Sequence, residues 1–130
     1  LTIAAGVYQN CGELKKGIES LRSALELVPN DFGWFITSYL VVSLYLDNQI
    51  EEIYKLIGDD IEAEDMVSWV LAIYAFLEQE KGDMEKAKKY LERAKKQNLN
   101  LARFEERLKN HDEELHKKTI SGLKKIGDLE

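Results

Sequence analysis

Cysteine is almost missing from this chain. Cys11 stands alone, so no disulfide can close within it. Proline is as scarce: Pro29 is the only one in 130 residues, which leaves room for long uninterrupted helices. No apolar run reaches the roughly 20 residues that a membrane-crossing helix needs. The longest, "WFITSYLVVSLYL" at 34–46 and "MVSWVLAIYAFL" at 66–77, read as buried helices, so no direct membrane insertion is expected. Positive charge is in deficit, with 18 Lys and Arg against 24 Asp and Glu and a net charge of −6. A duplex nucleic-acid binder wants a basic face, so no nucleic-acid partner is expected.

The residues that usually carry chemistry are also sparse. The eight glycines are scattered at expected helix ends and turns and form no phosphate-cradling loop. His111 and His116 are five residues apart, about 140° around a helix, which is the wrong spacing for a shared metal and reads as solvated surface. Cys11 has no histidine nearby in sequence and reads as a small packed residue beside Gly12. The acidic cluster Asp59, Asp60, Glu62, Glu64, Asp65 lacks the alternating ligands and internal glycine of a calcium loop. It reads as a solvated loop that also caps a helix. The lysines at 86–96 alternate with Glu, as on a solvated face. No catalytic residue, metal or cofactor is expected, and the chain is not expected to be an enzyme.

What is present is a globular balance, 45% apolar and 32% charged, in a chain of one-domain length. Three turn anchors, Gly12, Asn48 and Gly82, stand 36 and 34 residues apart. Gly and Asn are the residues that tolerate the left-handed conformation at a helix C-terminus. An amphipathic stripe follows each anchor: Leu14, Ile18, Leu21, Leu25 and Val28; then Ile50, Ile53 and Ile57; then Met84, Ala87, Leu91 and Ala94. The helices before the second and third anchors are far more apolar. Asp31, Asp83 and Asn100 are expected N-caps. After them, Leu101, Phe104, Leu108 and Leu115 mark a last helix over about 101–118. Thr119 to Gly122 is expected to end it, with Ile120, Leu123 and Ile126 in a short tail. The chain opens at Leu1 rather than methionine, as expected of an excerpt from a longer protein or a processed chain.

At these residues the sequence resembles the tetratricopeptide repeat family, whose unit is a helix–turn–helix of about 34 residues. The first copy matches at Ala5, Tyr8, Gly12–Glu13, Leu21, Ala24 and Pro29, with Gly17 where Ala is usual. The third matches at Ala75, Gly82–Asp83, Ala87, Leu91 and Ala94, with Glu78 where Tyr is usual and no proline. The second is degenerate, with Asn48–Gln49 at the turn, Ile53 for the first Ala and Asp60 for the second. The resemblance covers about residues 1–98. It implies an all-α fold, a right-handed α-solenoid of three helix pairs over about 1–30, 31–64 and 65–98, with the C-terminal helix as a cap. All of this would form a single domain over 1–130. One amphipathic pair cannot bury its own apolar face, whereas stacked pairs can.

The resemblance further implies a cytoplasmic protein-binding module or scaffold whose first helices line a concave groove. Counted from the anchors, Thr37, Leu40, Val41 and Leu44, then Leu71, Tyr74, Ala75 and Glu78, should face the paired helix. Phe35, Ser38, Val42 and Tyr45, then Trp69, Ala72, Phe76 and Gln79, should line the groove. Members of the family that read C-terminal carboxylates present cations there, and 32–46 and 66–77 contain neither Lys nor Arg. The expected occupant is therefore an amphipathic helix or extended apolar segment of a protein partner, or a second copy of the chain as a homodimer. The alternative is a helical accessory domain cut from a larger enzyme or membrane-associated protein, contacting the rest of its own chain.

Overall fold

Periodic apolar residues with almost no proline make helices, and the computed structural model is mostly helical over the residues it describes. It describes residues 14–27, 33–63, 66–97 and 99–127, of which 27, 33–35 and 101 by backbone alone. Seven α-helices occur among them: α1 Leu14–Leu27, α2 Gly33–Leu46, α3 Ile50–Ile57, α4 Ser68–Lys81, α5 Met84–Lys96, α6 Leu101–His111 and α7 Glu113–Ile126. A 3-10 helix, Gly58–Glu62, follows α3, and no strand is found among the described residues. None of these helices is long and apolar enough to cross a membrane. The chain divides into two compact units, Leu1–Glu62 and Ala63–Glu130. The first copy's turn at Gly12, with Ala5, Tyr8, Cys11, Pro29 and the cap Asp31, lies outside the described residues.

In the first unit α2 packs against α1 and α3. The α1 stripe is buried at Leu14, Ile18, Leu21 and Ala24, while Leu25 is only half-buried. From Ile36 to Leu46 every residue of α2 is buried except Tyr39, which explains a helix apolar on all sides. The buried Ser43 hydroxyl is satisfied within the helix, donating to the Tyr39 carbonyl at 2.9 Å. Ile53 and Ile57 bury the inner side of α3. Gly58, at φ 52°, ends that helix after eight residues. The helix α3 thus stops short of Asp60, the residue expected to stand for the second Ala of the unit. The acidic segment is not wholly a solvated loop: Asp59, Asp60 and Glu62 are exposed on the 3-10 helix, while Ile61 is buried.

The two described anchors close in the same way. Asn48 sits at φ 58° and Gly82 at φ 87°, both left-handed. The Asn48 and Gln49 amides donate to the Tyr45 and Leu44 carbonyls at 3.1 and 2.8 Å. One period later the Gly82 and Asp83 amides donate to the Gln79 and Glu78 carbonyls at 3.0 and 2.9 Å. This pair of bonds satisfies carbonyls that a helix end leaves open.

In the second unit α4 and α5 form a tightly packed pair. Tyr74 meets Tyr90 edge-on at 5.8 Å, with Ala87, Leu91 and Ala94 buried along the same side of α5. Met84 is 38% exposed, so the stripe begins at Ala87 and Tyr90 adds the bulk that the spacing overlooked. Asp83 caps α5, accepting from the Lys86 amide at 3.1 Å, and Asn100 caps α6 from the Arg103 amide at 3.1 Å. The residue ahead of α4 is Val67, which offers no side-chain cap, and Glu64 and Asp65 of the acidic cluster lie outside the described residues. The Arg93 guanidinium instead donates to the Ala63 carbonyl at 2.6 Å, tying the end of α5 to the segment that leads into α4.

The C-terminal region departs from the expected single helix over 101–118. The break falls at Asp112, which is extended at φ −159°. Its carboxylate accepts from the Glu114 and Leu115 amides at 3.0 and 3.2 Å, starting α7 as it ends α6. Conversely, Thr119 to Gly122 does not interrupt anything: α7 runs through them. Thr119 is buried there with its hydroxyl on the Leu115 carbonyl at 2.7 Å. The closing helix is therefore α7, which packs on α4 and α5, with α6 laid against α7.

Candidate functional site

The eight groove positions fall four to each unit, and each set is described within its own unit. In the first, Ser38, Val42 and Tyr45 are buried, and the Phe35 side chain lies outside the described residues. The side that should meet the paired helix, Thr37, Leu40, Val41 and Leu44, is buried as well.

In the second unit the four positions run down one side of α4, and the chain itself covers them. Trp69 is half-buried at the start of the helix. Its ring lies 6.0 Å from that of Phe104, and the Arg107 guanidinium stands 5.2 Å over it, so α6 holds this end. Ala72 is fully buried and Phe76 is 3% exposed. At Phe76 the cover is α7. A Cβ on Gly122 would lie 2.6 Å from two ring carbons of Phe76 and 2.8 Å from Oε1 of Gln79. A residue with a side chain would hold the two helices apart, so glycine sets their separation. Leu123 and Ile126 are buried next to this contact on α7, with Thr119 one turn earlier.

The charges around this face sit at its edge. Glu80 on α4 pairs with Lys118 on α7 at 3.6 Å, and Glu78 pairs with Lys81 at 3.7 Å. The first pair is exposed and registers α7 more than it stabilises it. His116 is not fully solvated as expected; it is half-buried with Nε2 3.4 Å from Oε1 of Glu105 on α6. His111 is half-buried too. Among the described residues no three of His, Cys, Asp and Glu converge as a metal-ligand set.

Sequence reasoning placed Trp69, Ala72, Phe76 and Gln79 on one side of α4 and missed what lies on them. Gly122 was read as a helix terminator. The signal that could have found it is the spacing of Thr119, Gly122, Leu123 and Ile126, a continuous inner stripe three and four residues apart. No family model, no curated protein and no solved structure matches this chain.

Proposed function

We propose that the chain is a protein-binding module of the tetratricopeptide kind, and that its ligand is an amphipathic helix. The observation that carries this reading is α7 on α4. The side of α4 expected to receive a ligand holds a helix with a small residue at the point of approach, apolar residues beside it and lysines outward. That is the helix-in-groove mode of recognition. A partner helix of the same pattern, small–apolar–x–x–apolar, is the ligand this face is built to take. The 34-residue period and the matching turns at Asn48 and Gly82 support the repeat assignment.

The test uses a chain ending at Asp112 and a labelled peptide of residues 113–127. Saturable binding that raises the melting temperature, and that is lost in the Ala72→Arg variant, is expected. A folded truncated chain that ignores the peptide overturns the reading. The same observation also favours the second reading, a helical accessory domain that contacts the rest of its own chain, because α7 is already a case of this face being covered in cis. A longer parent chain whose flanking segments protect unit-two amides from hydrogen exchange would favour it.

A further inference from the structure

Between α6 and α7 lies an open cleft of about 650 Å³. Glu105 lines it from α6, and Lys117, Ser121, Lys124 and Lys125 line it from α7, with Ile120 and His116 at its wall. Its charge is the reverse of the chain's. The net charge overall is −6, yet from Leu115 to Gly127 there are four lysines and no acid.

Lysines elsewhere in the chain, and Lys118 on α7 itself, have carboxylates at hand. Lys55 pairs with Glu52 at 3.7 Å, Lys81 with Glu78 at 3.7 Å, and Lys118 with Glu80 at 3.6 Å. Lys117, Lys124 and Lys125 make no ion pair among the described residues, and the one carboxylate in the cleft, on Glu105, is 3.4 Å from His116. Lys124 and Lys125 stand in the last turn of α7, where they offset its dipole. Lys117 is in mid-helix and has no such role. Lys117, Ser121 and Lys124 are at i, i+4 and i+7, one side of the helix, so two ammonium stems about 10 Å apart bracket an exposed hydroxyl. The three lysines outnumber the one carboxylate of the cleft and repel each other, and an anion held between them relieves that repulsion.

We infer that this cleft binds a ligand carrying two or more phosphate groups. Lys117 and Lys124 act as point-charge donors to separate phosphoryl groups, with Lys125 beside them. The Ser121 hydroxyl donates a hydrogen bond between them, and Ile120 provides an apolar wall. The inference is independent of the helix-binding reading, since the cleft is on the side of α7 away from α4's buried face.

The experiment titrates the full chain with sodium tripolyphosphate at low ionic strength, by calorimetry and by amide chemical shifts. Saturable one-to-one binding is expected, with the shifts centred on Lys117, Ser121 and Lys124. Lys117→Gln with Lys124→Gln should weaken it by roughly tenfold to a hundredfold, the loss of charge-assisted bonds. Lys86→Gln with Lys88→Gln removes the same charge from α5 and should leave it unchanged. No saturable binding, or equal weakening in both double variants, overturns the inference; melting curves of both variants show that each is folded. A second arm compares free inositol trisphosphate with phosphatidylcholine vesicles containing phosphatidylinositol bisphosphate. Binding to the free headgroup alone makes the ligand a soluble phosphate ester. Binding to both, with the same dependence on Lys117 and Lys124, makes it a lipid headgroup.

Discussion

A methyl group on Gly122 would meet two ring carbons of Phe76 at 2.6 Å, well inside van der Waals contact. Two effects compete in Gly122→Ala. Alanine favours a helix by about 1 kcal/mol over glycine. Forcing a methyl into a filled contact costs roughly 1–3 kcal/mol. Gln79 can swing its amide aside, but the Phe76 ring is buried and cannot retreat without moving α4 or α7. The overlap should therefore win, and the variant should melt lower than the parent. A higher melting temperature, by the amount that propensity alone supplies, would show that the helices can part at no cost.

Among the elements, α7 and not α6 closes the second unit, and truncation distinguishes them. A chain ending at Asp112 loses the burial of Leu123 and Ile126, each worth roughly 1.5–3 kcal/mol, and uncovers Phe76. It should melt about 10 °C or more below the full chain, and a chain ending at Asn100, which also loses the buried Phe104 and Leu108, should melt lower still. Retention of the full melting temperature by the chain ending at Asp112 would return the closing role to α6. Much of this architecture was legible beforehand. The turns at Asn48 and Gly82 showed in residue type, the caps Asp83 and Asn100 in their place before a periodic run, and the α5 stripe in its spacing. These are local signals, and local bonds realise them. The break at Asp112 was hidden because Leu108 and Leu115 keep helical register across it. The destination of α7 was hidden for another reason: spacing shows that a helix has an apolar side but not which surface meets it. The same holds for the groove. Trp69, Ala72, Phe76 and Gln79 were placed on one side of α4 by arithmetic, while their cover comes from residues some 30 to 50 positions later, a contact no period encodes.

On the scale of the whole chain, the two units carry the same turn built from different residues, and one version is more complete. Each turn closes two backbone bonds around a left-handed residue. The residue after it then has to start a helix. In the second unit that residue is Asp83, and its carboxylate takes the Lys86 amide. In the first it is Gln49, which offers α3 no side-chain cap and instead donates to Asp47 at 2.6 Å. The chain thus contains the template for its own repair. Copying one residue from the later turn into the earlier, Gln49→Asp, would give α3 the acceptor it lacks and place a carboxylate at its positive end. The bond to Asp47 is lost, but both of its partners are only part-buried. A gain of about 0.5–1 kcal/mol is expected, read as a higher urea midpoint with an unchanged slope. If the midpoint falls, the two turns are alike in their bonds but are not interchangeable parts.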